Sequence, residues 1–185
     1  MKKYIIVTLL VILVFSGCRN NSSANDIQEI QTTKVLVEPI SHPEFTGIKP
    51  KEWKEMEIPQ IPLYKYFPDG VNSTENHPEN IMIIVANATE ADGKSIAQLV
   101  DDSVKSMQKT ITDLKVVDKP KTANIGPLEG MQVITQGTVD GDKMQSAQIF
   151  AKNDKKIYIM TYSCKVGSCK NYHILELMAK NLNPL

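Results

Sequence analysis

Three cysteines, three histidines and a few close acidic pairs carry most of the reactive side chains in this 185-residue chain. Cys164 and Cys169 lie in SCKVGSC, a C-x4-C spacing around Gly167. A redox dithiol is more often C-x-x-C beside a βαβ unit. Zinc needs four ligands, and only His173 is near. The spacing therefore predicts a local disulfide at a turn, contributing only about 2 kcal/mol because the ring is short. His42, His77 and His173 are widely separated. His77 sits in NSTENHPEN beside Glu75 and Glu79, a surface loop in the plain reading and a weak transition-metal contact in the sharper one. Asp140 and Asp142 flank Gly141, but a calcium loop needs spaced oxygens and a terminal Glu, and Lys143 follows at once. Turn chemistry is the expectation there. Asp101-Asp102 would serve as general acid and base only in a cleft that drives their pKa values apart; a solvated helix face is expected instead. Met131, Met144 and Met160 read as core filling rather than a copper-binding set. H-E-x-x-H, G-x-S-x-G, Walker and G-x-G-x-x-G motifs are all missing. The expectation is a protein with no catalytic set, no metal site and no cofactor.

A different kind of candidate is the aromatic group Trp53, Tyr64, Tyr66 and Phe67. Alternating placement in a short, Pro-flanked edge region would leave aromatic area outward as a partner surface; the other reading is that the rings cap one end of a sheet.

Composition limits the partners. The chain is 42% hydrophobic and 23% charged, with a formal charge of +0. Setting aside the first 18 residues, which hold Lys2 and Lys3, leaves 19 of the 21 basic residues against 21 acidic, a net of −2. That balance offers no basic stripe for nucleic acid.

The N-terminus reads MKKYIIVTLLVILVFSGC. Two lysines precede a twelve-residue apolar run, Tyr4 to Phe15. As a helix it would span about 18 Å, short of the ~30 Å hydrocarbon core, so a secretory signal is expected rather than a membrane span. Ser16-Gly17-Cys18 resembles the lipobox of bacterial lipoproteins, with Phe15 standing where Leu is usual. The resemblance implies diacylglyceryl attachment at Cys18, cleavage before it and acylation of the freed amine. Several acyl chains anchor stably where one binds only marginally. The alternative is an ordinary signal peptide cut near Ala24. Residues 1–17 are then the signal, 18–33 the lipidated cysteine and a polar tether, and 34–185 a single domain. The tether has too little apolar surface to offset its ordering entropy. The expected location is the cell envelope, at the outer membrane facing the periplasm if the cell has two membranes, since Arg19 rather than an acid follows the cysteine.

The elements follow from hydrophobic period. Pro39, Pro43, Pro50, Pro59 and Pro62 restrict the first part to short extended pieces: Val35–Val37, Trp53–Ile58 and Leu63–Phe67. NIMIIVAN, Asn80–Asn87, predicts a central strand buried on both faces. Ile96, Leu99, Val100, Val104, Met107 and Ile111 form one helical stripe, and Ser95 with Gln98 has capping-box spacing. Leu114–Asp118, Gly130–Val139, Met144–Ala151 and Lys156–Ser163 read as strands. Asp140-Gly141 is a hairpin signal, so the last three predict an antiparallel meander. Tyr172–Leu182 is a second helix. Strand runs with segregated helices indicate α+β.

This order resembles the PsbP/Mog1-like fold, including PsbP-related and DcrB-type bacterial lipoproteins. The matching residues are Trp53 in a Pro-flanked strand, Asn80–Asn87 leading to the helix from Ser95, Lys115-Val116-Val117 before Ile125-Gly126-Pro127-Leu128-Glu129-Gly130-Met131, and Lys155–Ile159 leading to a last helix ending near Asn181-Leu182. The resemblance covers roughly Val35 to Leu185. It implies an antiparallel sheet with helices packed on its faces and a mostly non-enzymatic role. The functional expectation is a lipid-anchored, non-catalytic envelope protein with a macromolecular partner. The alternatives are a small-ligand or metal-ion carrier in the periplasm, and an immunity or inhibitor protein.

Overall fold

The computed structural model describes residues 35–57, 62–71, 77–91 and 93–185. The expected signal peptide, Cys18 and the expected tether lie outside the described residues. Two sheets form. Strands β1 (Val37–His42), β2 (Phe45–Pro50) and β10 (Asn183–Pro184) make a small sheet in the order β1-β2-β10. The larger sheet contains β3 (Trp53–Glu57), β4 (Leu63–Pro68), β5 (Asn80–Asn87), β6 (Thr112–Ile125), β7 (Leu128–Val139), β8 (Asp142–Lys152) and β9 (Lys156–Lys165), ordered β3-β4-β5-β9-β8-β7-β6. Every pairing is antiparallel. Two helices accompany them, α1 (Ile96–Met107) and α2 (Tyr172–Lys180). The architecture is α+β and dominated by antiparallel strands.

Strand alternation sorts the core. On β9, Tyr158, Met160, Tyr162 and Cys164 join Ala147, Ile149 and Ala151 of β8 and Ile81, Ile83 and Val85 of β5. These pack with Ile174, Leu175, Met178 and Ala179 of α2 and with Ile40 and Phe45 of the small sheet. The residues between them point the other way, as a period of two requires. Phe150 and Val133 meet Val100 of α1 there; Met144 meets Met107 and Ile111; Leu63, Met82 and Ile84 form a further cluster. The two-sided burial expected for Asn80–Asn87 is present along β5.

Local chemistry sets the element ends. Ser95 caps α1: its Oγ accepts from the Gln98 amide at 3.3 Å, and the Gln98 side chain accepts from the Ser95 amide at 2.8 Å. The Asp140-Gly141 hairpin has φ of 48° and 87° at its two central residues, the pattern of a type I′ turn, whose twist suits a two-residue hairpin. At the β6–β7 turn Gly126 donates to the Ala179 carbonyl at 2.7 Å. A Cβ there would lie 1.9 Å from the Leu182 carbonyl oxygen, so only glycine lets the turn reach the end of α2.

Three features were not expected from the sequence. Phe45–Pro50 is a strand, because β1 doubles back at Pro43-Glu44 and pairs along its whole length. Strand β6 runs to Ile125 rather than stopping at Asp118. The meander therefore has four strands, not three.

Replacing the cap by Ser95→Ala removes a bond to an otherwise unpaired helix amide. The unfolding free energy from urea titration is expected to fall by about 1 kcal/mol.

A groove between helix α1 and edge strand β6

Strand β6 pairs with β7 alone, so its outer edge carries no partner strand among the described residues. Its pairing slips three times, between Thr112 and Lys115, between Val116 and Asp118, and between Asp118 and Lys121. Each slip is a bulge with one extra residue on β6, and bulges bend a strand and strengthen its twist. Val117 is the extra residue of the middle bulge. Val116 and Val117 are left 40% and 43% exposed. A groove of about 520 Å³ lies between β6 and α1. Val100, Val104, Val116, Val117 and Val133 supply its apolar lining, while Asp101, Lys105, Gln108, Asp118 and Lys119 supply polar and charged groups. Both α1 and β6 contribute apolar and charged groups to this lining. Asp101 thus borders a concavity, whereas Asp102 turns away to Lys94 at 2.6 Å.

The four aromatics named as a partner surface are placed differently from that expectation. Trp53, Tyr64, Tyr66 and Phe67 are 5%, 7%, 0% and 7% exposed. Their burial fits the capping reading rather than an outward patch. For Trp53, Tyr64 and Tyr66 the reason is the small sheet: its β1–β2 hairpin lies against β4, with the His42 ring 4.0 Å from that of Tyr64 and Phe45 edge-on to Tyr64; Phe67, of opposite strand parity, is buried on the other face. Polar tips are satisfied there. Tyr64 donates to Glu44 at 2.6 Å, and His42 Nε2 lies 3.1 Å from the Tyr66 hydroxyl and 2.8 Å from Glu55.

Cys164 and Cys169 are joined as a disulfide, with Cα atoms 5.3 Å apart. It ties the end of β9 to the approach to α2. Glu79 reinforces the same junction. Its Oε1 accepts from the Lys170 and Asn171 amides at 3.1 and 2.9 Å and from the Tyr162 hydroxyl; its Oε2 accepts from the Asn171 side chain at 2.7 Å. A carboxylate from the loop before β5 therefore satisfies donors at the start of α2, where negative charge also suits the helix dipole. Asn171 itself makes no side-chain cap bond. Burial, the charge of Glu79 and the bond to it push the Tyr162 phenol upward.

His77 and the Asp140/Asp142 pair, separate in sequence, come together: His77 Nε2 lies 3.7 Å from Asp140. Asp142 is already met by the Lys165 ammonium at 2.9 Å. Among the described residues no group of three His, Cys, Asp or Glu side chains is placed to hold a metal ion. Met144 and Met160 are buried in different clusters, one on each face of the large sheet, and do not converge. No described helix is long and apolar enough to cross a membrane.

Among the solved structures that share the fold are two of moderate likeness. LpqN of Mycobacterium tuberculosis, described as involved in cell envelope biogenesis, is 11% identical with a TM-score of 0.54, covering 82% of this chain and 92% of that one. A protein from Bacteroides thetaiotaomicron VPI-5482 is 14% identical with a TM-score of 0.54, covering 76% of this chain and 45% of that one. This chain thus spans under half the length of the Bacteroides protein. At these identities the likeness is one of fold. No family model and no curated protein matches the chain.

The Tyr162 shift gives a pH dependence with a definite sign. The folded state holds the phenol protonated, whereas the unfolded phenol ionises near its ordinary 10.0. Its contribution is complete below pH 10 and is lost as the pH rises above it. The stability advantage of the native protein over Tyr162→Phe, from urea midpoints, is expected to be about 1.4 kcal/mol smaller at pH 11 than at pH 9.

Proposed function

We propose that this is a lipid-anchored, non-catalytic cell-envelope protein that binds a macromolecular partner in the α1–β6 groove, on a body of PsbP/Mog1-like type. The observation that carries the reading is the pair of exposed valines on a bulged, unpaired edge, beside a groove lined with further valines. An apolar surface of this kind with charged side chains around it is the pattern of a contact site. The packing of α1 and α2 against residues of opposite strand parity supports the body assignment, and the fold shared with LpqN, described as involved in cell envelope biogenesis, supports the envelope setting. Lipid attachment rests on the Ser16-Gly17-Cys18 sequence.

The groove volume also favours a second reading, a small-ligand carrier, because small-molecule sites are typically about 300–1,000 Å³. Thermal-shift screening separates the two, since a ligand that binds the folded form raises Tm.

Val117→Asp places a charge in the groove at an already exposed position. Stability is expected to change by no more than about 0.5 kcal/mol. Partner crosslinking from a photoreactive group at position 104 of the intact lipoprotein should fall at least tenfold. Equal crosslinking with and without the substitution would remove the groove from the binding site.

For the anchor, Cys18→Ser is expected to abolish the lipid mass of the mature chain in detergent extracts and shift the protein out of the membrane fraction. An unchanged intact mass after signal removal would instead fit the ordinary signal peptide.

A further inference from the structure

Among the described residues, His77 is buried without the bonds that normally accompany burial. Its side chain is 1% exposed, and neither ring nitrogen has a hydrogen-bond partner among the described residues. Its backbone is left-handed, with φ of 54°, a conformation a non-glycine residue adopts at a cost. The groups that face the ring, Asp142, Lys165 and Lys65, stand around the end of the sheet where Asn80, Ser163 and Ser146 occupy one register row across β5, β9 and β8. All three are buried, and the two serine hydroxyls have no partner among the described residues.

Charged groups face the ring from three directions. Asp140 and Asp142 come from the β7–β8 turn and the start of β8, Lys165 from β9 and Lys65 from β4. Asp142 is engaged with Lys165, and Asp140 Oδ2 stands 3.7 Å from Nε2, beyond hydrogen-bond reach. An imidazolium here would therefore be buried without a direct hydrogen bond, which is costly.

We propose that His77 is an acid-released latch: as the neutral imidazole it closes over the polar row Asn80–Ser163–Ser146, and protonation drives it out of that socket. The balance of effects agrees. Burial lowers the proton affinity of the ring; Asp142 and Asp140 oppose this, and Lys165 and Lys65 add to it. With the open state titrating near the ordinary 6.5, the closed state is fully favoured above that pH. It weakens as the pH falls below it, by about tenfold in the closing equilibrium per pH unit until the closed imidazole also titrates. The latch is independent of the groove, which lies at α1 and β6.

Hydrogen–deuterium exchange at the imidazole Cε1, read by mass on the peptide containing His77, gives that residue's own titration in the unaltered mature chain. The expected result is a midpoint below 6.5 and slow exchange at pH 7. A midpoint at or above 6.5, or exchange as fast as in the denatured chain, would overturn the proposal. Backbone exchange at Asn80–Met82 and Asp142–Ser146, corrected for intrinsic rate, should lose about fivefold in protection between pH 6.5 and 5.5 in the native protein. It should lose none of it through this site in His77→Gln, whose side chain does not titrate. An equal loss in both proteins would also count against the latch.

Discussion

The register of β9 between β5 and β8 is the constraint on which the rest of the molecule depends. Ile83 and Ile149 both lie opposite Met160, and Met82 and Gln148 both lie opposite Thr161. Across the three strands one set of side chains is large and apolar or aromatic, and the other mixes apolar with hydroxyl and amide groups. A slip of one residue would exchange the two sets. It would bring Thr161 and Ser163 against α2 and drive Tyr158 and Tyr162 toward α1. The faces are not interchangeable, which is how one sheet can support a closely packed aromatic core on one side and a buried polar row on the other.

Polar contacts then fix what the apolar core leaves adjustable. Burial is non-directional, so it holds α2 near β9 without defining how the helix begins. Glu79, Tyr162 and the Cys164–Cys169 bond define it together: the carboxylate takes the amides before the helix, the phenol donates to the same carboxylate, and the disulfide restricts the chain between them. The small sheet is docked in the same manner, by Tyr64 on Glu44, His42 near Tyr66 and Glu55, and the Lys49 ammonium on the Trp53 carbonyl at 2.7 Å. Each bond is modest in net worth. Together they specify one arrangement among several that would bury similar area.

The outer edge of the large sheet follows a different logic. A long unpaired strand invites pairing with other chains, and bulges, lysines and proline on the edge discourage it. Strand β6 has all three, with Lys115, Lys119, Pro120 and Lys121 close to its bulges. The same bulged stretch that protects the edge also lines the groove against α1. Protection against indiscriminate association and a shaped contact site thus share one stretch of backbone.

Elements with a strong local signal were legible in the chain itself. NIMIIVAN, the stripe from Ile96 to Ile111 with its Ser95 cap, the Asp140-Gly141 turn and the C-x4-C bridge depend on near neighbours and on period, and each appears where its pattern placed it except that the helix ends at Met107, a turn before Ile111. The α+β class followed from their order. Strand β6 was only partly readable because three bulges interrupt its alternation and Pro120 mimics a loop. The β1–β2 hairpin was missed because proline-flanked pieces do not announce what they pair with. Burial of Trp53, Tyr64, Tyr66 and Phe67, the joining of His77 with Asp140, and the groove itself were decided by tertiary structure alone. All three arise where segments distant in sequence meet, and period and spacing carry no information about such meetings.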